Sequence, residues 1–188
     1  MPRSAPKSPK PYDAAALERA ALDYAARYAT TRAKLAAFLR RKLRERGWAG
    51  DGAAPIDALV ERFSEHGYVD DRAFASARAD SLLRRGYGAR RIGSALRAAG
   101  IGEDVADELR ERIGEGSEDA AIRYARRKRI GPFSGRKADL AEKRRWVAAM
   151  ARAGHPMAIV LRVLEADLEE ELIDQYGITG NGVDLESE

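Results

Sequence analysis

The chain has 188 residues, 45% of them hydrophobic, no cysteine, and a formal net charge of +4 from 34 basic and 30 acidic side chains. This inventory allows a packed core and excludes disulfides, thiolate nucleophiles and cysteine-ligated zinc. No apolar run approaches the roughly 18 residues of a membrane span, and the first residues lack the apolar stretch of a secretory leader, so a soluble cytoplasmic protein is expected.

Residues 1–13 hold four prolines with Arg3, Lys7 and Lys10 between them, and are expected to form a disordered basic tail. Apolar residues then recur at three- and four-residue spacing, with no alternating strand pattern, which predicts helices throughout the body. The first runs from Ala15 to Thr30. In the second, LAAFLRRKLRERGW, Leu35, Leu39 and Leu43 point inward while Arg40, Arg41 and Arg44 project, and Gly47 ends the helix. The turn AGDGAAP leads to a third helix, Ile56 to His66.

The next stretch, GYVDDRAF, pairs Asp70 with Asp71 as a polymerase does at its catalytic metals. A polymerase pair sits on a strand hairpin with further oxygen ligands, whereas these flanks are helical. Capping is the better reading: Gly67 closes one helix, and an aspartate at the junction accepts from orphan N–H groups of the next, Arg72 to Arg85, with its apolar stripe at Phe74, Ala77 and Ser81 or Leu82. RRGYGARR reads as an interhelix turn rather than a phosphate loop, because no strand precedes it. Beyond it, Ile92, Ala95, Leu96 and Ala99 form an apolar stripe that ends at Gly100, and a trailing helix covers Glu103 to Ile113.

A leading helix at Glu118 to Arg129 opens the last part. Its middle helix places Trp146, Ala149, Met150 and Ala153 inward before Gly154, and its trailing helix runs from Met157 to about Gln175. Residues 177–188 are expected to be an acidic disordered tail.

Internal similarity organises these elements. ARRIGSALRAAGIGEDVADELRE, from Ala89, aligns without a gap on KRRWVAAMARAGHPMAIVLRVLE, from Lys143, at an offset of 54 residues. Leu39, Leu43 and Gly47 repeat the pattern 53 residues before Ile92, Leu96 and Gly100. The fold class is therefore all-α: an elongated tandem array of three three-helix, helix-turn-helix-like repeats, residues 14–69, 70–115 and 116–176.

No catalytic, metal or cofactor site stands out. His66 and His155 lie beside glycines as turn or C-terminal capping residues, and Gly47, Gly67, Gly100 and Gly154 are structural caps. Charge is distributed in blocks. Candidate contacts to phosphate are Arg40, Arg41 and Arg44; then Arg84, Arg85, Arg90, Arg91 and Arg97, in a stretch without acids; then Arg126, Arg127, Lys128 and Arg129; and finally Lys143, Arg144, Arg145 and Arg152. By contrast, residues 165–188 carry nine acids and no base. Recurrence on all three middle helices suggests a basic track. A sequence-independent nucleic-acid-binding protein and a helical scaffold with solubilising charges remain alternatives.

Over about residues 15–172 the chain resembles the RecX family, regulators of the RecA recombinase, through HGYVDDRAFA, RRGYGARRIGSALRAAGI and KRRWVAAMARAGHPMAIVLRVL in that order. Thr30, Thr31 and Lys34 depart from the serine and glutamate common in the family's first unit. The resemblance implies a non-enzymatic monomer that lies in the groove of the RecA filament on single-stranded DNA and inhibits ATP hydrolysis, strand exchange and filament extension.

Overall fold

The structure is a computed structural model describing residues 10–164. Residues 1–9 of the expected basic tail, the end of the last trailing helix toward Gln175 and the acidic tail lie outside the described residues. Within them the fold is all-helical, with ten α-helices, one short 3-10 turn and no strand. It divides into two compact units, one formed by residues up to 77 together with 96–106, the other by 78–95 and residues from 107 onward.

In the first unit, α1 (Ala14–Arg27) starts where the Asp13 carboxylate accepts from Ala16 N at 2.7 Å. Thr31 caps α2 (Arg32–Arg46) by accepting from Lys34 N, and Gly47, at φ 81°, closes it. With α3 (Ile56–Glu65), these helices bury Leu17, Leu35, Leu39, Leu59, Val60 and Phe63, with Leu43 packed at the edge. Each such side chain contributes about 1.5–3 kcal/mol on burial. The three-residue and four-residue spacing of leucines in α2 is thus what turns its arginines outward.

The expected tail is too long at its inner end. Tyr12 is buried, and its N–H donates to Gly47 O at 3.0 Å while its carbonyl accepts from Ala49 N at 2.9 Å, an isolated parallel bridge to Trp48. Arg46 covers the ring at 4.3 Å and donates to Lys10 O. A buried aromatic with paired backbone groups offsets the ordering entropy that proline-rich composition alone does not.

Helices α4 (Asp71–Arg84) and α5 (Ala89–Ala98) each contribute to both units. On α4 the buried positions are Ala75, Ala79, Leu82 and Leu83, whereas Ala77 is exposed. The apolar stripe is thus rotated from the one expected through Ala77, because the small alanines at 75 and 79 admit close packing without a large apolar residue to reveal them. The trailing segment expected as one helix is two short pieces, α6 (Glu103–Glu108) and α7 (Arg110–Glu115), broken at Leu109. Only Val105 and Ile113 are buried along it, too little packing to hold a single axis.

The second unit is completed by α8 (Ser117–Lys128), a 3-10 turn (Gly131–Phe133), α9 (Leu140–Arg152) and α10 (Met157–Leu164). Ala121 and Ala125 present almost no bulk, so α10 packs on α8, and Trp146, Val147, Met150, Val160 and Leu164 fill the core between them.

Candidate nucleic-acid interface

The two aspartates that could have been a metal pair are bound to backbone amides. Asp70 accepts from Ala73 N at 2.9 Å and caps α4. Asp71, in the first turn of α4, reaches the first residue of α2 and accepts from Arg32 N at 2.9 Å, so it satisfies an orphan amide of a second helix. Gly67, Gly100 and Gly154 take φ of 73°, 74° and 94°, the left-handed conformation that closes each preceding helix.

The basic candidates fall into distinct groups. On α2, Arg40 pairs with Asp57 at 2.9 Å and Arg41 with Glu45 at 3.7 Å, while Arg44 is exposed beside them. The Lys42 ammonium, hydrogen-bonded to Glu45 and helped by Arg41 and Arg44, pulls that carboxyl below its usual range. Arg84, Arg90, Arg97, Arg126, Arg144 and Arg145 are exposed on their helices. Arg129 is exposed too, with its backbone at φ 53° closing α8. Lys143 is a correction: it is buried, because it precedes Trp146, Val147 and Met150 by three, four and seven residues and so lies on the core face of α9. It is not available as a surface phosphate contact.

The remaining candidates converge. In the second unit, Arg85 and Arg91 flank the turn between α4 and α5, Arg127 and Lys128 end α8, and Arg152 ends α9; together they line a cleft of about 480 Å³. Two tyrosines complete it. The Tyr87 ring lies 5.4 Å from the Arg85 guanidinium and 5.8 Å from that of Arg91, and Tyr124 lies 5.6 Å from Arg127. Arg127 also donates to Arg85 O, and the Tyr124 hydroxyl to Ala149 O. The aromatic faces and this carbonyl hold three guanidinium groups in place.

Glycine makes the convergence possible. A Cβ at Gly86 would lie 2.9 Å from Tyr124 N and 3.0 Å from Ala120 O, and one at Gly88 would lie 2.3 Å from the Gly154 carbonyl. The backbone there is cross-tied: Gly88 N donates to Ala153 O at 3.0 Å and Arg90 N to Gly154 O at 3.1 Å. His155, buried beneath the cleft, bonds Gly86 O through Nε2 at 3.2 Å and has its ring 5.7 Å from Tyr124. Burial pushes its pKa below 6.5, so the imidazole is neutral and donates its single proton to that carbonyl. His155 is thus a turn residue with a cross-linking task, while His66 Nδ1 caps α3 at Arg62 O.

Many arginines elsewhere on the surface are ion-paired. Among the described residues, Arg32, Arg40, Arg62, Arg110, Arg112, Arg123, Arg136 and Arg162 all have a carboxylate within 4.0 Å. None of Arg85, Arg91, Arg127, Lys128 and Arg152 does, and no acid lines the cleft. Two unit charges ~7 Å apart repel by about 0.6 kcal/mol even in bulk water, so such a cluster has an electrostatic cost that an anionic ligand would relieve.

Sequence reasoning named all five cations and read the glycines of RRGYGARR as an interhelix turn, as observed, but missed Tyr87, Tyr124 and the close docking of that turn that brings the cations together. The signal was present in GYG between two arginine pairs, and in a tyrosine three residues before Arg127.

Helical units with glycine-closed middle helices and a cationic cleft without a carboxylate define an all-helical protein with an anion-facing surface. The family model described as RecX, second three-helix domain, matches residues 70–109. The Regulatory protein RecX of Myxococcus xanthus is 36% identical over 170 residues, covering 86% of this chain and 91% of that protein. A Regulatory protein RecX of Thermus thermophilus is 31% identical over 150 residues, covering 80% of this chain and 94% of that protein. The crystal structure of RecX from Lactobacillus salivarius aligns with a TM-score of 0.65 at 14% identity, over 81% of this chain and 94% of that one, which shows the shared fold. The chain belongs to the RecX family of regulatory proteins. No helix among its described residues is long and apolar enough to cross a membrane.

Proposed function

We propose that this chain is a cytoplasmic, monomeric negative modulator of the RecA recombinase that seats itself in the groove of the RecA filament on single-stranded DNA. There it inhibits ATP hydrolysis, strand exchange and filament extension, and the chemistry is the recombinase's own. Family membership supports the regulatory role. The observation that carries the contact is the cleft of five cations without a carboxylate, which suits phosphate oxygens better than a protein surface of mixed charge.

On this reading the second unit meets the DNA phosphates, and the ion-paired face of α2 in the first unit meets protein. The partition into repeats at 14–69, 70–115 and 116–176 is part of the same proposal. Contacts of this kind read no sequence and weaken steeply with salt. The test is RecA's single-strand-dependent ATP hydrolysis, which should fall on addition of this protein at stoichiometric amounts; an unchanged rate overturns the proposal.

The same cleft favours a second reading, an autonomous nucleic-acid-binding protein for which RecA is irrelevant. Binding to bare DNA at physiological salt that is as tight as binding to the filament would select it.

A further inference from the structure

The charge density of the cleft is higher than a single strand calls for. A cleft of about 480 Å³ would have an edge of only roughly 8 Å if it were compact, and a nucleic-acid strand carries one charge per ~3.4 Å at helical spacing, fewer when extended. A strand crossing the cleft would therefore bring about two charges to five cations. A nucleoside triphosphate brings up to four within a few bond lengths.

The construction of the site also favours a compact ligand. Arg85 and Arg91 share the Tyr87 ring, and Arg127 is fixed by the Tyr124 ring and the Arg85 carbonyl, so three of the donors are clustered and held. Guanidinium groups with their rotamers already fixed lose little freedom on taking up phosphate oxygens. The walls come from the turn 85–91 and from the ends of α8 and α9, tied by Gly88 N to Ala153 O, by His155 to Gly86 O and by Arg127 to Arg85 O, so the cleft is braced without a ligand.

We propose that this cleft is a binding site for a clustered polyphosphate, in the form of a nucleoside triphosphate, which competes there with the phosphates of the filament. The competition rests on the filament reading above; the binding itself does not. Occupancy by nucleotide would loosen the protein's hold on DNA, so the modulator would respond to nucleotide concentration through its own surface and independently of the recombinase.

Calorimetric titration of the full chain with ATP and with inorganic tripolyphosphate, in magnesium-free buffer and without RecA, tests this. Saturable binding of one equivalent of ATP is expected, with tripolyphosphate competing for the same site. Arg91→Gln combined with Arg152→Gln should weaken ATP binding at least tenfold with helicity by circular dichroism unchanged, whereas Arg19→Gln on α1 should leave it unaltered.

Absence of ATP binding up to millimolar concentration overturns the proposal, and because it is read on the wild-type protein, it does so even if the double variant fails to fold. Binding that survives the double variant, or an oligothymidylate that binds the cleft where ATP does not, overturns it as well. Failure of the filament reading would be seen separately, as an unaltered rate of RecA ATP hydrolysis.

Discussion

Two basic surfaces of similar composition differ in what surrounds them. On α2 two arginines stand beside carboxylates, Arg40 with Asp57 and Arg41 with Glu45, which Lys42 shares, so their charge is offset in part within the first unit. In the second unit Arg85, Arg91, Arg127, Lys128 and Arg152 line a cleft without an acid. The contrast teaches that counting arginines along a helix does not locate a phosphate site. Whether the cations gather in one cleft that no acid lines does.

The largest effect should come from the backbone beneath the cleft. Gly88→Ala forces a Cβ to within 2.3 Å of the Gly154 carbonyl, so we expect a loss of about 3 kcal/mol or more in urea unfolding, by disrupting the docked turns. Gly67→Ala in the first unit, at positive φ where Gly88 is not, but with nothing within 4 Å, should cost only about 1 kcal/mol. Similar losses at the two sites would break the contrast.

Next comes charge. Arg91→Glu with Arg152→Glu should raise the concentration needed to half-inhibit RecA ATP hydrolysis at least tenfold, and Arg40→Glu with Arg41→Glu less than threefold. Reversal of Arg90, Arg97 and Arg144 should fall between, since they are exposed but lie outside the cleft. Loss of inhibition on reversing the α2 pair alone would move the contact to the first unit.

His155 gives a smaller, pH-dependent effect. Its folded pKa is depressed by burial, so its contribution is complete above 6.5 and is lost as pH falls below that value, when proton uptake favours the unfolded chain. Urea midpoints at pH 7.5 and 5.0 should differ more for the wild type than for His155→Gln; an equal difference refutes the buried neutral imidazole. The smallest effect belongs to the Arg40 and Asp57 pair, whose coupling in a double-mutant cycle should be about 0.5 kcal/mol or less because both side chains are exposed.

Helix positions and their glycine ends were legible in the sequence because both are local. A period near 3.6 places Leu35 and Leu39 inward, and a left-handed residue past a helix end selects glycine at Gly47, Gly100 and Gly154. The rest depended on what meets what. Lys143 reads as one more cation until Trp146 and Val147 fix the face it shares, and Tyr12 reads as tail until Trp48 is placed beside it. The cleft is assembled from segments about 25 to 70 residues apart, and no periodicity reports that distance.

The clasp between Tyr12 and Trp48 separates the register of α2 from the length of the turn that follows it. Backbone pairing ends at Ala49, and at Gly52 a side chain would meet open space. Extra residues spliced between Asp51 and Ala53 would loop into solvent and leave the helices on either side in place. That makes the turn a graft point for a fluorophore or an affinity handle.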